Sequence, residues 1–304
     1  MKKVIIISFA VLIYLGLNQN AQAQQQVMFT QYMFNGLAVN PAYAGHAGAL
    51  SVTALTRHQW VGVEGAPNTQ TLSIHTPIRK NKIAVGALIY RDNIGLTTET
   101  GLIGSYAYRI EFGKGTMSMG MQFGFSDFQN NQGDAHLGNN AQPGLYQNVS
   151  AIKPNIGAGA FYSTERFYLG VSSPFLLNNK IQTAEDPVEQ IRHLYVMSGF
   201  VVDLNRHLKL KPSALLKMVQ GAPLEMDFSA MLLIEDRIWV GLAYRSFDSI
   251  DLLLELQLNS KFRLGYAFDY TVSNFNKVNS GSHELMLNYI LSFSRSRVIT
   301  PRYF

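Results

Sequence analysis

The chain has 304 residues, no cysteine, a net charge of +5, and 47% hydrophobic against 15% charged residues. The lack of cysteine excludes disulfides, thiol catalysis and cysteine metal sites. The charge is too mild to indicate nucleic-acid binding. After the leader, no apolar run approaches the roughly 18 to 20 residues of a membrane-spanning helix.

The first 23 residues are typical of a secretory signal peptide. Lys2 and Lys3 precede an apolar run over residues 4–17, and Ala21 and Ala23 form a small-x-small cleavage site. The run is too short for a membrane span, which needs about 20 residues. Cleavage before Gln24 lowers Lys+Arg from 25 to 23 against 20 acidic residues, a net charge of +3. We therefore predict an exported protein.

Residues 24–45 differ from everything that follows and predict an N-terminal plug segment. Helical spacing relates four of its side chains, Phe29, Tyr32, Met33 and Leu37, which favours one or two turns of helix. Asn40 and Pro41, followed by Gly45, then favour an extended, turn-rich stretch. The concentration of aromatic residues indicates packing, and a barrel offers its lumen or its periplasmic rim.

From Leu50 onward, windows with a period of two predict β-strands. The clearest is residues 117–126, where methionine and phenylalanine alternate with small or polar residues. About ten such residues let a tilted strand cross the hydrocarbon layer. We predict fourteen strands: residues 50–60, 69–76, 82–91, 98–110, 117–126, 153–162, 167–173, 192–203, 208–219, 226–235, 237–247, 250–258, 262–270 and 284–293. Pro212, inside the ninth, predicts a bulge or a strand boundary.

The gaps between these windows alternate in length. Connections after even-numbered strands are short, whereas the three longest connections, residues 127–152, 174–191 and 271–283, all follow odd-numbered strands. Bacterial outer-membrane barrels combine short periplasmic turns with longer outer loops in this way. A soluble β-sandwich, the alternative interpretation, has no reason to sort its loops by parity.

The sequence thus predicts an all-β fold, a transmembrane antiparallel up-and-down β-barrel of about 14 strands with an N-terminal plug segment. Its predicted parts are a signal peptide (1–23), the plug segment (24–45), the barrel (46–293) and a C-terminal tail (294–304). Charges on the second face of the strands predict a mixed-charge lumen, because a cation facing lipid at mid-depth costs about 2–4 kcal/mol. Aromatic residues near strand ends predict interfacial girdles: Trp60, Tyr90, Tyr108, Phe125, Tyr162, Phe247, Tyr270 and Phe293.

The sequence contains no complete catalytic or metal-binding motif, so we expect no enzyme, no metal and no cofactor. No Gly-x-Ser-x-Gly elbow occurs. A barrel esterase would need a serine beside a histidine, and Ser73 with His75, or His193 with Ser213, are the candidate pairs. Residues 127–144 carry oxygen ligands without the spacing of a known calcium loop.

Two further groups of side chains have structural explanations. We expect lipid contact, and not copper binding, for Met117, Met119 and Met121. For the lysines of the ninth strand, Lys209, Lys211 and Lys217, we favour an ion-pair ladder with Asp227 and Glu235 over anion selectivity.

Several short motifs of the sequence resemble those of the PorP/SprF family of outer-membrane proteins. They are residues 29–33 (FTQYM), 40–45 (NPAYAG), 59–62 (QWVG), 65–67 (GAP) and 69–71 (TQT), extended by Asp92, residues 94–95 and residues 104–108. The resemblance covers the mature chain, and its first third is the specific part. It implies a cell-outer-membrane component of type IX secretion and gliding. It implies no catalytic residues.

The resemblance implies that the barrel supports export or surface attachment of a secreted protein such as a gliding adhesin. The expected partners are that secreted surface protein, other type IX secretion components and outer-membrane lipid. Partner binding is assigned to the plug segment and its surroundings, with candidate residues Phe29, Gln31, Tyr32, Asn40, Pro41, Tyr43 and Trp60. A passive or hydrophobic-substrate transporter is the alternative, because fourteen strands and a plug suit it as well.

Overall fold

A computed structural model of the chain describes residues 27–78, 81–131, 148–181, 188–291 and 303. The predicted signal peptide, residues 132–147 of the long loop and most of the predicted C-terminal tail lie outside these ranges, so those predictions stay predictions. Within the described ranges, no helix is long and apolar enough to span a membrane.

Fourteen antiparallel strands of the described chain close into one barrel. They are β1 Leu50–His58, β2 Asn68–Ile78, β3 Ile83–Ile94, β4 Thr97–Phe112, β5 Gly115–Asn130, β6 Val149–Ser163, β7 Phe167–Ser173, β8 His193–Phe200, β9 Leu208–Val219, β10 Glu225–Ile234, β11 Ile238–Arg245, β12 Ser249–Gln257, β13 Phe262–Thr271 and β14 Ser282–Leu291. Each strand pairs with its neighbours in the chain, and β1 pairs with β14 to close the barrel. The predicted strand number and up-and-down topology are confirmed.

The walls separate an apolar outer surface from a largely polar inner one, as the alternation predicts. In β5, Met119 and Phe123 point outward and are each about half exposed, whereas Ser118 and Gln122 point inward and are buried. The period of two makes every second residue face the same side. A belt of this kind around a closed barrel is what a hydrocarbon layer requires.

The predicted aromatic girdle is present only in part, and Trp60 and Tyr90 depart from it. Trp60 lies in the loop after β1 and packs on Phe275. Tyr108, Phe125 and Tyr270 point outward and are exposed. Tyr90 instead points into the barrel, where its hydroxyl donates to Glu99 Oε1 at 2.8 Å. The reason is parity, because Tyr90 follows the inward residues of β3 at steps of two. Phe293 lies outside the described residues.

Pro212 causes neither a bulge nor a strand end. The register of β9 with β10 runs without interruption from Leu208 opposite Ile234 to Lys217 opposite Glu225. Pro212 instead interrupts the pairing on the β8 side of β9. That pairing stops at Ser213 and resumes at Leu210, opposite the two-residue strand Val202–Asp203. A proline lacks the N–H that the ladder needs there.

The two ends of the barrel differ as predicted. One end carries short turns such as residues 113–114 and 164–166, and the other carries the long connections 131–148, 174–192 and 272–281. We call the latter the outer end, because long loops of outer-membrane barrels face the cell exterior. The loop predicted as residues 127–152 is shorter than expected, because β5 and β6 stay paired as far as Asn130 opposite Val149.

Candidate functional site

Residues 27–49, hereafter the N-terminal segment, lie inside the barrel. The segment bonds to strands on several sides of the wall: Ser73 of β2 donates to Asn35 Oδ1 at 2.9 Å, and Ser172 of β7 donates to the Val39 carbonyl at 2.8 Å. Arg109 of β4 donates to the Gly45 carbonyl at 2.8 Å. A single segment reaches strands this far apart only from within the lumen.

The local structure of the segment differs from the prediction. Residues 30–34 form turns, the α-helix α1 covers only Gly36–Val39, and Pro41–Tyr43 form a 3₁₀ turn where an extended stretch was expected. Asn40 caps this turn, because its Oδ1 accepts from the Ala42 N–H at 2.9 Å. Tertiary contacts with the wall, and not helical periodicity, decide the conformation here.

Asn40 joins the segment to two wall strands. Its Nδ2 donates to the Ala160 carbonyl at 3.0 Å and to the Val171 carbonyl at 3.4 Å, and the residue is fully buried. The carboxamide therefore uses both its donor and its acceptor side. These contacts explain why an asparagine, with donors and acceptor on one short side chain, precedes Pro41.

Replacing Asn40 with aspartate is expected to lower the free energy of unfolding by about 2–3 kcal/mol, because a buried carboxylate would face two carbonyl oxygens with no proton to donate. Urea unfolding of the purified barrel, followed by tryptophan fluorescence, measures this. Asn259→Asp is the matched control, since Asn259 is exposed and uses only its side-chain oxygen, which accepts from Lys261 N and Phe262 N. Equal losses in the two variants would contradict the assignment.

Two inward-facing glycines let the segment touch the wall. A Cβ at Gly120 of β5 would fall on the backbone of Pro41 and Ala42, and a Cβ at Gly159 of β6 would fall on the Asn40 side chain. Both positions need glycine because another backbone or side chain approaches closely. The wall and residues 40–42 are thus complementary in shape.

The lumen contains a cluster of apolar side chains in addition to the predicted charged residues. Tyr43 of the segment packs edge-on against Phe161 at 5.5 Å and against His75 at 5.5 Å between ring centroids. Leu37 and Met286 are buried in the same cluster, which joins the segment to the inner wall. This cluster is a hydrophobic core that stabilises the N-terminal segment inside the barrel.

The predicted charges face inward as well, and six of them form a continuous chain of alternating sign. The order is Lys217, Asp227, Arg245, Asp269, Arg57 and Glu284, on six different strands, which we call the charge ladder. The closest ion pairs are Arg57 with Asp269 at 2.7 Å and Lys217 with Asp227 at 2.8 Å. Every side chain in the ladder is at most 5% exposed.

Thr30 and Gln31 bind the end of this ladder near the outer opening. Glu284 accepts from the Gln31 N–H at 2.8 Å and from the Thr30 N–H at 2.9 Å. The Thr30 hydroxyl donates to Asp269 at 2.8 Å and accepts from Arg57 at 2.9 Å. The ladder therefore clamps the beginning of the N-terminal segment, while Asn40 fixes its middle.

The lysines of β9 behave as predicted only in part. Lys217 pairs with Asp227, as expected. Lys209 pairs with Asp236 and not Glu235, which instead pairs with His207. Lys211 lies over the rings of Phe34 and Trp239 at 4.2 and 4.7 Å and donates to the Tyr303 carbonyl at 2.9 Å. Part of the predicted C-terminal tail thus returns to the barrel interior.

A cavity of about 350 Å³ opens at the outer end between the N-terminal segment and the wall. Apolar side chains supply much of its lining, among them Phe29, Tyr32, Phe128, Phe175 and Ile191. Its polar side carries the ion pair of Lys153 with Glu99 at 2.6 Å. A volume of this size and a lining of this kind suit an organic ligand or large side chains.

The structure brings six of the seven predicted site residues into the lumen. Phe29 and Tyr32 line the outer cavity, and Gln31, Asn40, Pro41 and Tyr43 are buried against the wall. Trp60 lies apart, in the loop between β1 and β2, where it packs on Phe275 at 4.9 Å between ring centroids. Their assigned role in partner binding stays a prediction.

The candidate catalytic pairs do not form a catalytic arrangement in the described chain. Ser73 donates to Asn35, and His75 accepts from the Gly45 N–H at 3.1 Å, so both serve the N-terminal segment. His193 and Ser213 lie at opposite ends of the β8–β9 pairing, opposite Val219 and Gly199. The idea that they come close is therefore wrong.

For metals, the described ranges contain no group of three or more histidine or acidic residues that could hold an ion. The candidate calcium loop lies mostly in residues 132–147, outside those ranges. Met119 and Met121 point outward from the apolar belt, as expected for lipid contact.

Sequence reasoning missed Thr30, Glu99 and Lys153 as site residues. Thr30 lies within the family motif at residues 29–33, beside Phe29. Its place in that motif could have identified it as a site residue. Glu99 and Lys153 lie at the ends of strands where alternation fades. Their pairing depends on the register across β4, β5 and β6.

Comparison with known proteins decides the family. The sequence profile described as "Type IX secretion system membrane protein PorP/SprF" matches residues 21–289. The chain belongs to the PorP/SprF family. A closed barrel with an apolar belt in this family is a component of type IX secretion located in the outer membrane.

Solved structures similar to this PorP/SprF protein include Omp33 of Acinetobacter baumannii, the KdgM porin and the translocator domain of the autotransporter NalP from Neisseria meningitidis. Sequence identities are 8%, 7% and 11%, with TM-scores of 0.47, 0.41 and 0.43. The matches cover 80%, 79% and 86% of this chain and 98%, 99% and 95% of theirs. A comparison with curated proteins finds no match.

Proposed function

We propose that this PorP/SprF barrel supports the export or surface attachment of a secreted protein, such as a gliding adhesin, by docking that protein at its outer end. The observation that carries the proposal is the N-terminal segment, which crosses the lumen and is bonded at Thr30, Asn40 and Gly45. In this proposal the segment obstructs the lumen, so the exported protein does not pass through this barrel. The outer cavity and the long loops remain for contact.

The candidate binding residues divide into two groups under this proposal. Gln31, Asn40, Pro41 and Tyr43 act indirectly, since they are buried against the wall and hold the segment. Phe29 and Tyr32 shape the cavity, and Trp60 supports the outer loops. Other secretion components and outer-membrane lipid complete the set of proposed partners. No step of this role requires catalysis.

Deletion of the gene, followed by quantitative proteomics of the cell surface and the medium, tests the proposal. We expect one or a few large proteins to leave the surface while other exported proteins remain in place. Those proteins would be the cargo of this barrel. An unchanged surface would overturn the proposal.

A passive or hydrophobic-substrate transporter is the second candidate, favoured by the apolar lining of the outer cavity. The two functions differ in ion conductance. A barrel whose lumen is filled should pass no discrete currents in planar bilayers, whereas a transporter should conduct or take up a ligand. Single-channel recording of the full mature chain therefore separates them.

A further inference from the structure

Among the described residues, strand β6 has no partner on one edge at its outer end. It pairs with β5 from Val149 to Ser163, but with β7 only from Ala158 to Ser163. The connection after β7 touches it only further down, where Leu176 N donates to the Ile156 carbonyl at 2.8 Å and Asn179 Nδ2 donates to the Pro154 carbonyl at 3.0 Å. Above Pro154, no described residue pairs with this edge.

The bonds to Ile156 and Pro154 identify which backbone groups face the open side. Carbonyl and N–H groups of one residue point the same way in an antiparallel strand, and the direction alternates at each residue. Ser150 and Ile152 therefore direct their N–H and carbonyl groups away from β5. Pro154 agrees with this arrangement, because proline inside a sheet is confined to positions whose missing donor faces an edge.

Ile152 is a second, independent signal at the same place. It is 74% exposed and points outward. The register aligns it with a polar row on the neighbouring strands: Gln70, Arg91, Thr100 and Asp127. The next row along these strands is apolar: Leu72, Ile89, Leu102 and Phe125. Ile152 is therefore an exposed apolar side chain among polar ones, beside a strand edge that no described residue pairs with.

The outer cavity adjoins this edge from the inside. Lys153, the residue after Ile152, lines the cavity together with Phe128, which lies on β5 opposite Ala151. Phe175 and Ile191 line it from the connection between β7 and β8. A strand added beside Ser150 and Ile152 would alternate its side chains between this cavity and the outer face.

We propose that the β6 edge and the outer cavity form one docking site for an extended segment of the exported protein. The segment adds to β6 as a strand, because Ser150 and Ile152 offer a row of backbone donors and acceptors. One large apolar side chain of the segment enters the cavity near Phe128, and another packs on Ile152. The edge selects a peptide over a lipid or a small solute. This inference rests on the proposed function and adds the place and the chemistry of recognition.

Photo-crosslinking in cells tests the site, with p-benzoylphenylalanine placed at position 152 of the full chain. The expected product joins the barrel to the protein that gene deletion strips from the surface. Ser150→Pro removes one edge donor and Ile191→Asp places a charge in the cavity, so each should lower the yield about fivefold. Val278→Asp, an equal change in an exposed outer loop, should leave the yield unchanged.

A second photoreactive position, Phe247 in the outer turn between β11 and β12, should give no product. Crosslinks to lipid or within the barrel chain alone would overturn the docking site, as would equal yields at positions 152 and 247. If deletion strips a cargo that never crosslinks at position 152, the docking site fails while the proposed function stands. If deletion strips nothing, the proposed function fails first. Resistance to denaturation in unheated gels verifies that each variant is folded.

Discussion

Replacing Arg57 with methionine is expected to lower the free energy of unfolding by about 3–5 kcal/mol. Arg57 lies between Asp269 at 2.7 Å and Glu284 at 3.3 Å, and all three side chains are at most 3% exposed. Methionine fills a similar volume but leaves two buried carboxylates facing one another. The Thr30 hydroxyl also loses a donor at 2.9 Å. Urea unfolding of the barrel in lipid, followed by tryptophan fluorescence, measures the loss.

Arg166→Met supplies the matched control for this change. Arg166 pairs with Asp203 at 2.6 Å, but their side chains are 55% and 38% exposed. Exposed pairs contribute about 0–1 kcal/mol, since water screens both charges. A loss in Arg57→Met no larger than in Arg166→Met would contradict a stabilising role for the charge ladder. Protection of the N-terminal segment from protease should fall only in Arg57→Met, because only that variant loosens the clamp on Thr30.

The sequence predicts which way each wall residue faces, because the period of two is a local property. The inward positions of Arg57, Asp227 and Glu284 follow from alternation alone, and all three are buried. The sequence also predicts that residues 24–45 pack against the barrel, since the aromatic residues concentrated in this segment need a surface to bury them. Strand existence and facing are therefore the parts of the fold that local chemistry determines.

The identity of each contact depends on information that no local pattern holds. Arg57 meets Glu284 only because β1 pairs with β14, and this closure joins residues 227 positions apart. Lys211 was assigned an acidic neighbour, yet it lies over Phe34 of the N-terminal segment. The ends of β5 and β6 were also misplaced, because the pattern of apolar outward and polar inward residues is lost in their outer extension, where Phe128 and Ala151 face inward.

The role of two wall glycines also depends on tertiary contacts that the sequence does not reveal. Gly120 and Gly159 look like any small residue on the polar face of a strand. Their role becomes visible only when residues 40–42 lie against them. The same complementarity offers a direct way to test whether the N-terminal segment closes the barrel.

Gly120→Val is expected to open a conducting path through the lumen. The added Cβ would overlap the backbone of Pro41 and Ala42, which cannot shift without breaking the bonds of Asn40 to the wall. Overpacking of this kind costs about 1–3 kcal/mol, and more where backbone meets backbone. The wall is held by continuous strand pairing, so the N-terminal segment is the part that yields. Discrete single-channel currents in planar bilayers should appear in the variant and be absent from the parent chain.

The control is Gly104→Val on the neighbouring strand β4. Gly104 points outward, and a Cβ there has its nearest neighbour, the Phe123 carbonyl oxygen, at 3.8 Å, an ordinary contact distance. This variant should stay closed, because valine on the lipid face adds apolar surface without touching the N-terminal segment. Gly159→Val, which strikes Asn40 from the adjacent strand, should open the barrel as Gly120→Val does. Closed behaviour in both inward variants, with native resistance to denaturation, would mean that the segment does not control passage through the lumen.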